Sequence, residues 1–339
     1  MEWLDTLRTL SELPGPPGME DRVRDFIRSE IEGHADEVFE DKLGNLYAVK
    51  GDGPRVMFAA HMDEVSLMVS YLERGFLRVT NLGGLVPSQL LAQRVIVHGK
   101  EEVMGVIGAT PAHLKDSKEL KISDLYVDVG ADGEEDLRRL GIRKGTFVTF
   151  DTKFVYQPTT GVVMGKAFDD RMGCLVLLES FKRVDPDFKL YAVFTVQEER
   201  GLRGATVAGY RVNPELAFAL EGTIANDTPD TPERDVVTSS GKGPAIRVMD
   251  RLLITKPDLL QFMIDVAEKN SIRYQLQMSP RSTTDASVIN LAREGVPAGV
   301  ISVPSRYIHT PVSLSKVDDV NETIRYVTTL MESLSEYLK

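Results

Sequence analysis

The chain has 339 residues, which exceeds the size at which single hydrophobic cores usually stop growing, so we expect two domains. Hydrophobic residues make up 42% of the chain and charged residues 27%, which is typical of globular proteins and sufficient for a sizeable core. The formal charge of −11 argues against nucleic acid or an anionic membrane as the main partner, because both favour basic patches.

The first part of the chain predicts two helices followed by two strands. The helices are predicted over 1–13 and 20–32, and the sequence PGPPG at 14–18 separates them because proline and glycine interrupt helices. Short apolar runs at 46–49 and 55–60 then predict strands that are joined by a turn.

The pattern changes over residues 64–160, where short alternating strands are separated by glycine turns. Strands at this spacing favour a small barrel or sandwich, and only 134–140 predicts a helix within the stretch. We therefore predict an all-β barrel domain at 64–160, inserted into an α/β domain that 1–63 and 161–339 form together. The strand segments are LMVSYL, GFLRVTNL, RVIVHG, EEVMGVIG, LYVDVG and TFVTF.

Helices and strands alternate again after residue 161. The last helix has apolar residues at spacings of three and four from Val317 to Leu334, and Ser315 and Asp318 suggest a capping box at its start. The earlier predictions are helices at 170–182, 202–208, 257–270 and 284–293, and strands at 189–196, 216–220, 273–277 and 298–303.

The single cysteine, Cys174, excludes an internal disulfide bond and a thiolate-rich zinc site. Its apolar neighbours predict a buried position on a helix.

The first residues, MEWLDTLRTL, lack the basic and apolar regions of a signal peptide, and no apolar run approaches the roughly 20 residues that a membrane helix needs. We therefore expect a cytoplasmic protein.

Four apolar strands lead into residues that can bind a metal ion. Runs without polar alternation are typical of parallel strands that are buried on both faces, and ligands collect at the carboxyl ends of such strands. The pattern therefore predicts a metal-dependent enzyme. The residues are His61 and Asp63 after 55–60, Glu198 and Glu199 after 189–196, Glu221 after 216–220, and His309 shortly after 298–303.

His61 and Asp63 are two residues apart at a strand end, so their side chains share one side of the strand. The Asp63 carboxylate can then accept the second N–H of the imidazole, which fixes the tautomer and raises the basicity of a metal ligand. The alternative is an aspartate that caps a helix beside a core histidine.

Glu198 and Glu199 have Cα atoms only about 3.8 Å apart. A glycosidase needs carboxylates roughly 5–9.5 Å apart across a sugar bond, so this pair disfavours a polysaccharide hydrolase. It suits one carboxylate on a metal and one that holds the reacting water, although a solvated turn before Arg200 would give the same pattern.

The sequence AFDDR places Asp169 and Asp170 immediately before an apolar helix. Either aspartate could cap that helix. An aspartate at this corner could also bridge two cations, which lie roughly 3.5–4 Å apart in two-metal sites.

Four segments resemble the signature segments of the tetrahedral (TET-type) aminopeptidases, in the glutamyl-aminopeptidase-like family of di-metal exopeptidases: AAHMDEVSLMV, GKAFDDRMGC, VQEERGLRGA and YIHTPVS. The similarity covers nearly the whole chain. It implies a di-zinc exopeptidase-like α/β fold, with a mixed sheet flanked by helices and a small inserted barrel.

The resemblance also implies two divalent metal ions, zinc or cobalt, and a role for each candidate residue. Asp169 would bridge the ions, His61 and Glu221 would complete one site, Glu199 and His309 the other, Glu198 would be the general base, and Asp63 would orient His61.

The function implied is an aminopeptidase that acts on short peptides with a free N-terminus and assembles from dimers, joined through the barrel, into a tetrahedral dodecamer.

Two positions depart from the family pattern. Glu221 stands where aspartate is usual, and the sequence Ser282-Thr283-Thr284-Asp285 replaces a Gly-Thr-Asp, so no catalytic role is carried onto that segment. Asp227, before Thr228-Pro229, suits a turn better than a metal ligand.

Three alternatives stay open at this stage. A di-metal carboxypeptidase or an amide deacylase could use the same residues, and related di-metal enzymes place glutamate at the position of Glu221. A non-catalytic assembly protein with a relic site is disfavoured, because decay would have removed some of the candidate residues. The preferred N-terminal residue and the metal do not follow from mixed histidine and carboxylate ligands.

Overall fold

The computed structural model describes residues 3–110 and 120–339. These residues form an 11-stranded mixed sheet flanked by helices, together with a closed barrel of six antiparallel strands. The predicted fold class is therefore confirmed. His113, one of the five histidines, lies outside the described residues.

The helices of the described residues are α1 Trp3–Glu12, α2 Asp21–Ile31, α3 Glu134–Arg139, α4 Phe168–Arg183, α5 Arg203–Val212, α6 Pro257–Lys269, α7 Ala286–Ile289 and α8 Val317–Tyr337. None of them is both long enough and apolar enough to cross a membrane.

The strands of the large sheet are β1 Glu37–Glu40, β2 Leu46–Lys50, β3 Arg55–His61, β10 Val155–Gln157, β11 Val162–Gly165, β12 Lys189–Thr195, β13 Leu216–Ile224, β14 Ala245–Asp250, β15 Gln275–Ser279, β16 Ala298–Arg306 and β17 Ser313–Lys316. The barrel contains β4 Ser66–Glu73, β5 Phe76–Leu82, β6 Arg94–His98, β7 Glu102–Ala109, β8 Leu125–Asp128 and β9 Phe147–Phe150.

Four parallel strands form the centre of the large sheet, in the order β12, β3, β13, β16. Their residues alternate between two cores. On β3, Phe58 packs in the core that also contains residues of α1, α2, α4, α6 and α8, whereas Ala59 packs in the core formed with α5 and α7. Helices thus cover both faces, which explains the continuous apolar runs and leaves the carboxyl ends of the strands open.

Cys174 is fully buried on α4, as its apolar neighbours predict. Its thiol donates a hydrogen bond to the main-chain oxygen of His61 at 3.2 Å. Helix α4 therefore contacts the end of β3 directly.

The barrel closes in the order β4, β5, β8, β7, β6, β9 around a separate apolar core to which α3 contributes Leu137. These six strands correspond to the six predicted segments. The next strand, β10, pairs with β11 in the large sheet. The division of the chain at 64 and 160 stays a prediction.

Two local predictions are wrong. The capping box fails because Ser315 lies on β17, where its hydroxyl pairs with that of Ser305 at 2.6 Å, and α8 begins directly after Lys316. The helix predicted at 284–293 spans only Ala286–Ile289. It starts late because Thr284 and Asp285 use their side chains in buried contacts with neighbouring segments, and it does not reach Arg293, which has φ +54°, outside the helical region.

Candidate metal centre

The structure brings the seven predicted site residues together at the carboxyl edge of the parallel strands. His61 is the last residue of β3, and Glu221 lies on β13, two strands away from β12. The others lie on connections or at the irregular start of a helix. They are Asp63 after β3, Asp169 at the start of α4, Glu198 and Glu199 in the turn after β12, and His309 in the loop after β16.

Two groups of side chains present ligand atoms that lie within 4.8 Å of one another, and both include Asp169. We call His61, Asp169 and Glu221 the inner group, and Asp169, Glu199 and His309 the outer group. Oδ1 of Asp169 is 3.2 Å from Nε2 of His61, whereas Oδ2 is 3.1 Å from Nε2 of His309. Each oxygen of one carboxylate therefore faces a different imidazole.

The other distances within the groups are similar. Nε2 of His61 is 3.8 Å from Oε2 of Glu221, and Nε2 of His309 is 3.3 Å from Oε1 of Glu199. Ligand atoms at about 2.0–2.2 Å from one tetrahedral ion are separated by about 3.3 Å. The spacing of both groups therefore fits ligands that share an ion.

The hydrogen bonds of the imidazoles also fit a cation. Nδ1 of His61 donates to the main-chain oxygen of Asp63 at 3.1 Å, and Nδ1 of His309 donates to the main-chain oxygen of Gly84 at 3.0 Å. Because a carbonyl oxygen can only accept, each Nδ1 carries a proton, and Nε2 is the nitrogen that faces the carboxylate oxygens. Nε2 must then either carry a second proton or share a cation with these acceptors, because the lone pair of a neutral ring would otherwise face oxygen lone pairs.

The electrostatics of the cluster lead to the same conclusion. Burial and the nearby Asp169 carboxylate raise the pKa of Glu199 to about 7, despite the opposing effect of His309. Burial opposes protonation of His309, but Glu199 and Asp169 outweigh it and raise the pKa of His309 to about 10. Crowded buried carboxylates are costly unless positive charge compensates them, and divalent cations supply it.

Asp170 contacts no ring of the site but holds its backbone together. Its Oδ2 accepts a hydrogen bond from the main-chain N–H of His61 at 3.0 Å, and its Oδ1 accepts from those of Gly173 and Gly222 at 2.8 Å each. One carboxylate thus joins the end of β3, the start of α4 and β13. Of the two aspartates at this corner, Asp169 faces the histidines and Asp170 joins the backbone.

Asp63 lies beneath the turn that carries the two glutamates. Its Oδ1 accepts a hydrogen bond from the main-chain N–H of Glu198 at 2.9 Å, and its Oδ2 accepts from that of Glu199 at 3.0 Å. Oδ1 also lies 3.5 Å from Nδ1 of His61. The fully buried Asp63 therefore links the first histidine to the glutamate turn.

The barrel contributes one loop to this edge of the sheet. Gly83 has φ +85°, and a Cβ at this position would lie 2.5 Å from Oε2 of Glu199. The loop after β5 can therefore approach Glu199 and bring the oxygen of Gly84 to His309 only because it lacks side chains there.

Sequence reasoning assigned no role to Asp285, which is buried beside this cluster. Its Oδ2 accepts a hydrogen bond from the hydroxyl of Thr195, and its Oδ1 is buried without a hydrogen-bond partner. Burial raises the pKa of Asp285 to about 6. The pair Thr284-Asp285 could have indicated a role for Asp285, but these residues were predicted to begin a helix over 284–293.

The site opens into a cleft of about 1360 Å³, which is large enough for a short peptide. The lining of the cleft includes Asp169, Glu198, Glu199, Glu221 and His309. It also includes apolar and basic residues, among them Val236, Arg247, Leu276, Met278 and Arg281.

Comparisons with known proteins agree with this geometry. The sequence pattern described as M42 glutamyl aminopeptidase matches residues 44–326. A lysyl aminopeptidase of Pyrococcus furiosus is 37% identical over an alignment of 345 positions, and the match covers 98% of each chain.

Two solved structures are also similar over almost their full length. The TET aminopeptidase of Thaumarchaeota archaeon SCGC AB-539-E09 has a TM-score of 0.96 at 37% identity, and the match covers 98% of this chain and 96% of the other. The TET1 peptidase of Pyrococcus horikoshii, described as able to assemble into a tetrahedron or a large octahedral shell, has a TM-score of 0.88 at 31% identity, with coverage of 98% and 99%. This chain therefore belongs to the M42 glutamyl aminopeptidase family.

Proposed function

We propose that this protein removes N-terminal residues from short peptides with the help of two divalent metal ions, zinc or cobalt. The observation that carries the proposal is the position of Asp169. Each of its oxygens faces the Nε2 of a different histidine, and both histidines use Nδ1 to donate to a main-chain oxygen.

The inner and outer groups would each hold one ion, with Asp169 shared between them. The chemistry that a bound pair of divalent ions supplies is polarisation of the scissile carbonyl and a lower pKa, near about 7, for the attacking water. The donor set of imidazoles and carboxylates suits zinc, cobalt and several other divalent ions.

Glu198 is the proposed general base. It lines the cleft but belongs to neither ligand group, so its carboxylate is free to accept a proton. It takes a proton from the attacking water and returns it to the leaving amine. Asp63, which holds the main-chain N–H of Glu198, keeps the base in position while it also supports His61.

The free α-amine of the peptide gives the proposed exopeptidase specificity. The cationic ammonium group of a free N-terminus is attracted to the carboxylates that line the cleft. An acetylated amine carries no charge and is bulkier. Aminopeptidase activity therefore predicts that N-acetylated peptides are rejected. Cleavage of blocked peptides would favour a di-metal carboxypeptidase or an amide deacylase instead.

The replacement Glu198→Gln tests the assigned mechanism. It keeps the size of the side chain but removes the proton acceptor, so we expect kcat to fall by about 10²- to 10⁴-fold. Metal content, measured by mass spectrometry after dialysis, should stay near that of the wild type. Glu179→Gln is a matched control, because Glu179 lies on the buried part of α4 and pairs with Arg183 away from the cleft. A Glu198→Gln variant with more than a few per cent of wild-type turnover contradicts the assignment.

We further propose that residues 64–160 form a dimerisation domain and that dimers assemble into a tetrahedral dodecamer. The barrel exposes several large apolar side chains, which are Tyr71, Phe76, Met104 and Val106. Phe76 and Val106 lie on the two strands that flank β8, both opposite Asp128, and contiguous exposed apolar surface is typical of association sites. Light scattering of the purified protein should give the mass of twelve chains, and a monomer would contradict this proposal. A cytoplasmic location stays a prediction.

A further inference from the structure

The PGPPG segment, interpreted from the sequence only as a break between two helices, lies against Met62 and Glu64, the residues on either side of Asp63. Gly15 donates its main-chain N–H to Oε1 of Glu64 at 2.9 Å, and its oxygen accepts from the main-chain N–H of Glu64 at the same distance. A Cβ at Gly15 would lie 2.6 Å from the guanidinium of Arg171. The segment is therefore packed closely into the molecule.

Glu20 lies two residues after this segment and directly precedes α2. Its main-chain oxygen accepts the first helical hydrogen bonds, from Val23 and Arg24, but its side chain does not cap the helix. Oε1 instead accepts from the main-chain N–H of Gly18 at 2.8 Å and from that of Gln197 at 3.1 Å. Only 4% of Glu20 is exposed. A buried carboxylate at the N-cap position thus bonds to a distant turn rather than to its own helix.

That turn is the one that carries Glu198 and Glu199. Its three consecutive amide groups are all held by carboxylates, the first by Glu20 and the next two by Asp63. Gln197 has φ +56°, in the left-handed region that side chains other than glycine rarely adopt. A conformation of this kind persists only when its surroundings hold it, and Glu20 binds the N–H of the strained residue itself.

We propose that Glu20 is a positioning residue of the reaction, which fixes the first amide of the turn and thereby the placement of Glu198. The proposal rests on the function proposed above, because it takes Glu198 as the general base. Asn45 Oδ1 accepts from the main-chain N–H of Val196, and the main-chain oxygen of Gln197 accepts from that of Arg203. Glu20 holds the amide group that lies between Val196 and the two amides bound by Asp63.

Two conservative variants separate the hydrogen bond from the charge. Glu20→Gln keeps a carbonyl oxygen at the right reach and removes the charge, whereas Glu20→Asp keeps the charge but is one methylene too short to reach Gln197. Burial and the nearby Asp63 carboxylate raise the pKa of Glu20 to about 7, so an uncharged acceptor is compatible with this environment near neutral pH.

We expect Glu20→Asp to lower kcat by about 10- to 100-fold, the range for residues that orient groups in metal sites, with KM changed by less than about twofold. Glu20→Gln should keep kcat within about twofold of the wild type, because it preserves the hydrogen bond. The opposite order, with Glu20→Asp active and Glu20→Gln inactive, would overturn the proposal.

Hydrogen exchange of the metal-free protein gives a readout that does not depend on activity. Loss of the bond to Gln197 should speed exchange in a peptide that spans 196–202 in Glu20→Asp, and Glu20→Gln should restore its protection. Asp319→Glu is the matched control, because Asp319 is a buried carboxylate that accepts the main-chain N–H groups of Gly241 and Gly243 away from the cleft. In Asp319→Glu, the rate of hydrogen exchange should change near 241–243 and not at 196–202.

The outcomes of the two proposals are distinguishable. If the wild type loaded with zinc or cobalt cleaves no peptide, or if Glu198→Gln stays active, the proposed function fails, whatever happens at Glu20. If Glu198→Gln is inactive but Glu20→Asp keeps both kcat and the exchange protection at 196–202, the function stands and the role of Glu20 is refuted. If Glu20→Asp instead unfolds generally, hydrogen exchange becomes faster throughout the chain. Glu20→Gln then decides the question, because restored protection at 196–202 shows that the hydrogen bond and not the charge is needed.

Discussion

The inner and outer ligand groups share Asp169 but are built in different ways. In the inner group, His61 ends β3 and Glu221 lies within β13, so neighbouring strands and helices fix both side chains. In the outer group, Glu199 lies on a turn and His309 on a loop. The side chain of His61 is 1% exposed, whereas that of His309 is 37% exposed.

The loop of His309 depends on contacts outside the sheet. Arg306, at the end of β16, forms a two-point ion pair with Asp227 at 2.9 and 2.7 Å, and His309 itself has φ +59° and donates to Gly84 in the loop after β5. One half of the site is thus part of the sheet, whereas the other half is held onto it by separate hydrogen bonds and an ion pair.

Asp169→Asn should have the largest effect, because it removes what the two groups share. An amide offers only one oxygen acceptor, so it cannot serve both groups at once. We expect both ions to bind more weakly and activity to fall by more than about 100-fold, since even residues behind the ligands cost about 10- to 100-fold. Metal stoichiometry and peptide hydrolysis measure these effects.

Asp185→Asn is the control for that variant, because Asp185 is exposed just beyond the C-terminal end of α4. It should behave as the wild type. Full metal content in Asp169→Asn would contradict the shared-ligand arrangement.

Chelation should separate the two halves. Because the outer group is more exposed and lies on a turn and a loop, its ion should leave at lower chelator concentration than that of the inner group. Titration of the cobalt-loaded protein with a chelator, followed by visible absorption, should therefore show two steps. His309→Ala should retain one tightly bound ion and only the second step, and a single step in the wild type would argue that the halves are equivalent.

Asp170 and Asp227, which hold other residues of the site in place, should contribute unequally to the free energy of unfolding. Asp170→Asn turns one buried amide towards the N–H of His61, which leaves a buried donor unpaired and should lower the free energy of unfolding by about 2–3 kcal/mol. Asp227→Asn weakens a partly exposed ion pair and should cost about 1 kcal/mol or less. Urea unfolding at fixed protein and metal concentrations compares them, and equal losses would contradict the distinction between a group within the sheet and one attached to it.

The strands of the inner group were the most predictable part of the molecule. The apolar runs before His61 and Glu221 have no polar alternation because helices cover both faces of β3 and β13. Their direction and their buried character together predict that their ends lie near one another, and in the structure they do. The six strands of the barrel were equally clear, because each alternates and ends in a turn.

Local sequence was less informative where a side chain bonds to a distant segment. Asp170 bonds to Gly173 three residues on, as a helix cap does, but it also bonds to His61, far away in the chain. The side chain of Asp285, also at the start of a helix, bonds to the distant Thr195. Glu20 is the same case, since its bond to Gln197 spans 177 residues. The prediction for Ser315 was wrong in the opposite way, because its sequence is typical of a helix cap but the residue lies on strand β17.

Cys174 gives this fold a chemical reporter. Its thiol is fully buried against the end of β3, and burial raises the pKa of the thiol well above its usual range, so the reactive thiolate is strongly disfavoured. Thiol reagents should therefore leave the intact protein unlabelled and should modify it only when α4 separates from β3. The rate of labelling would then measure how often this helix and strand come apart, without any engineered probe.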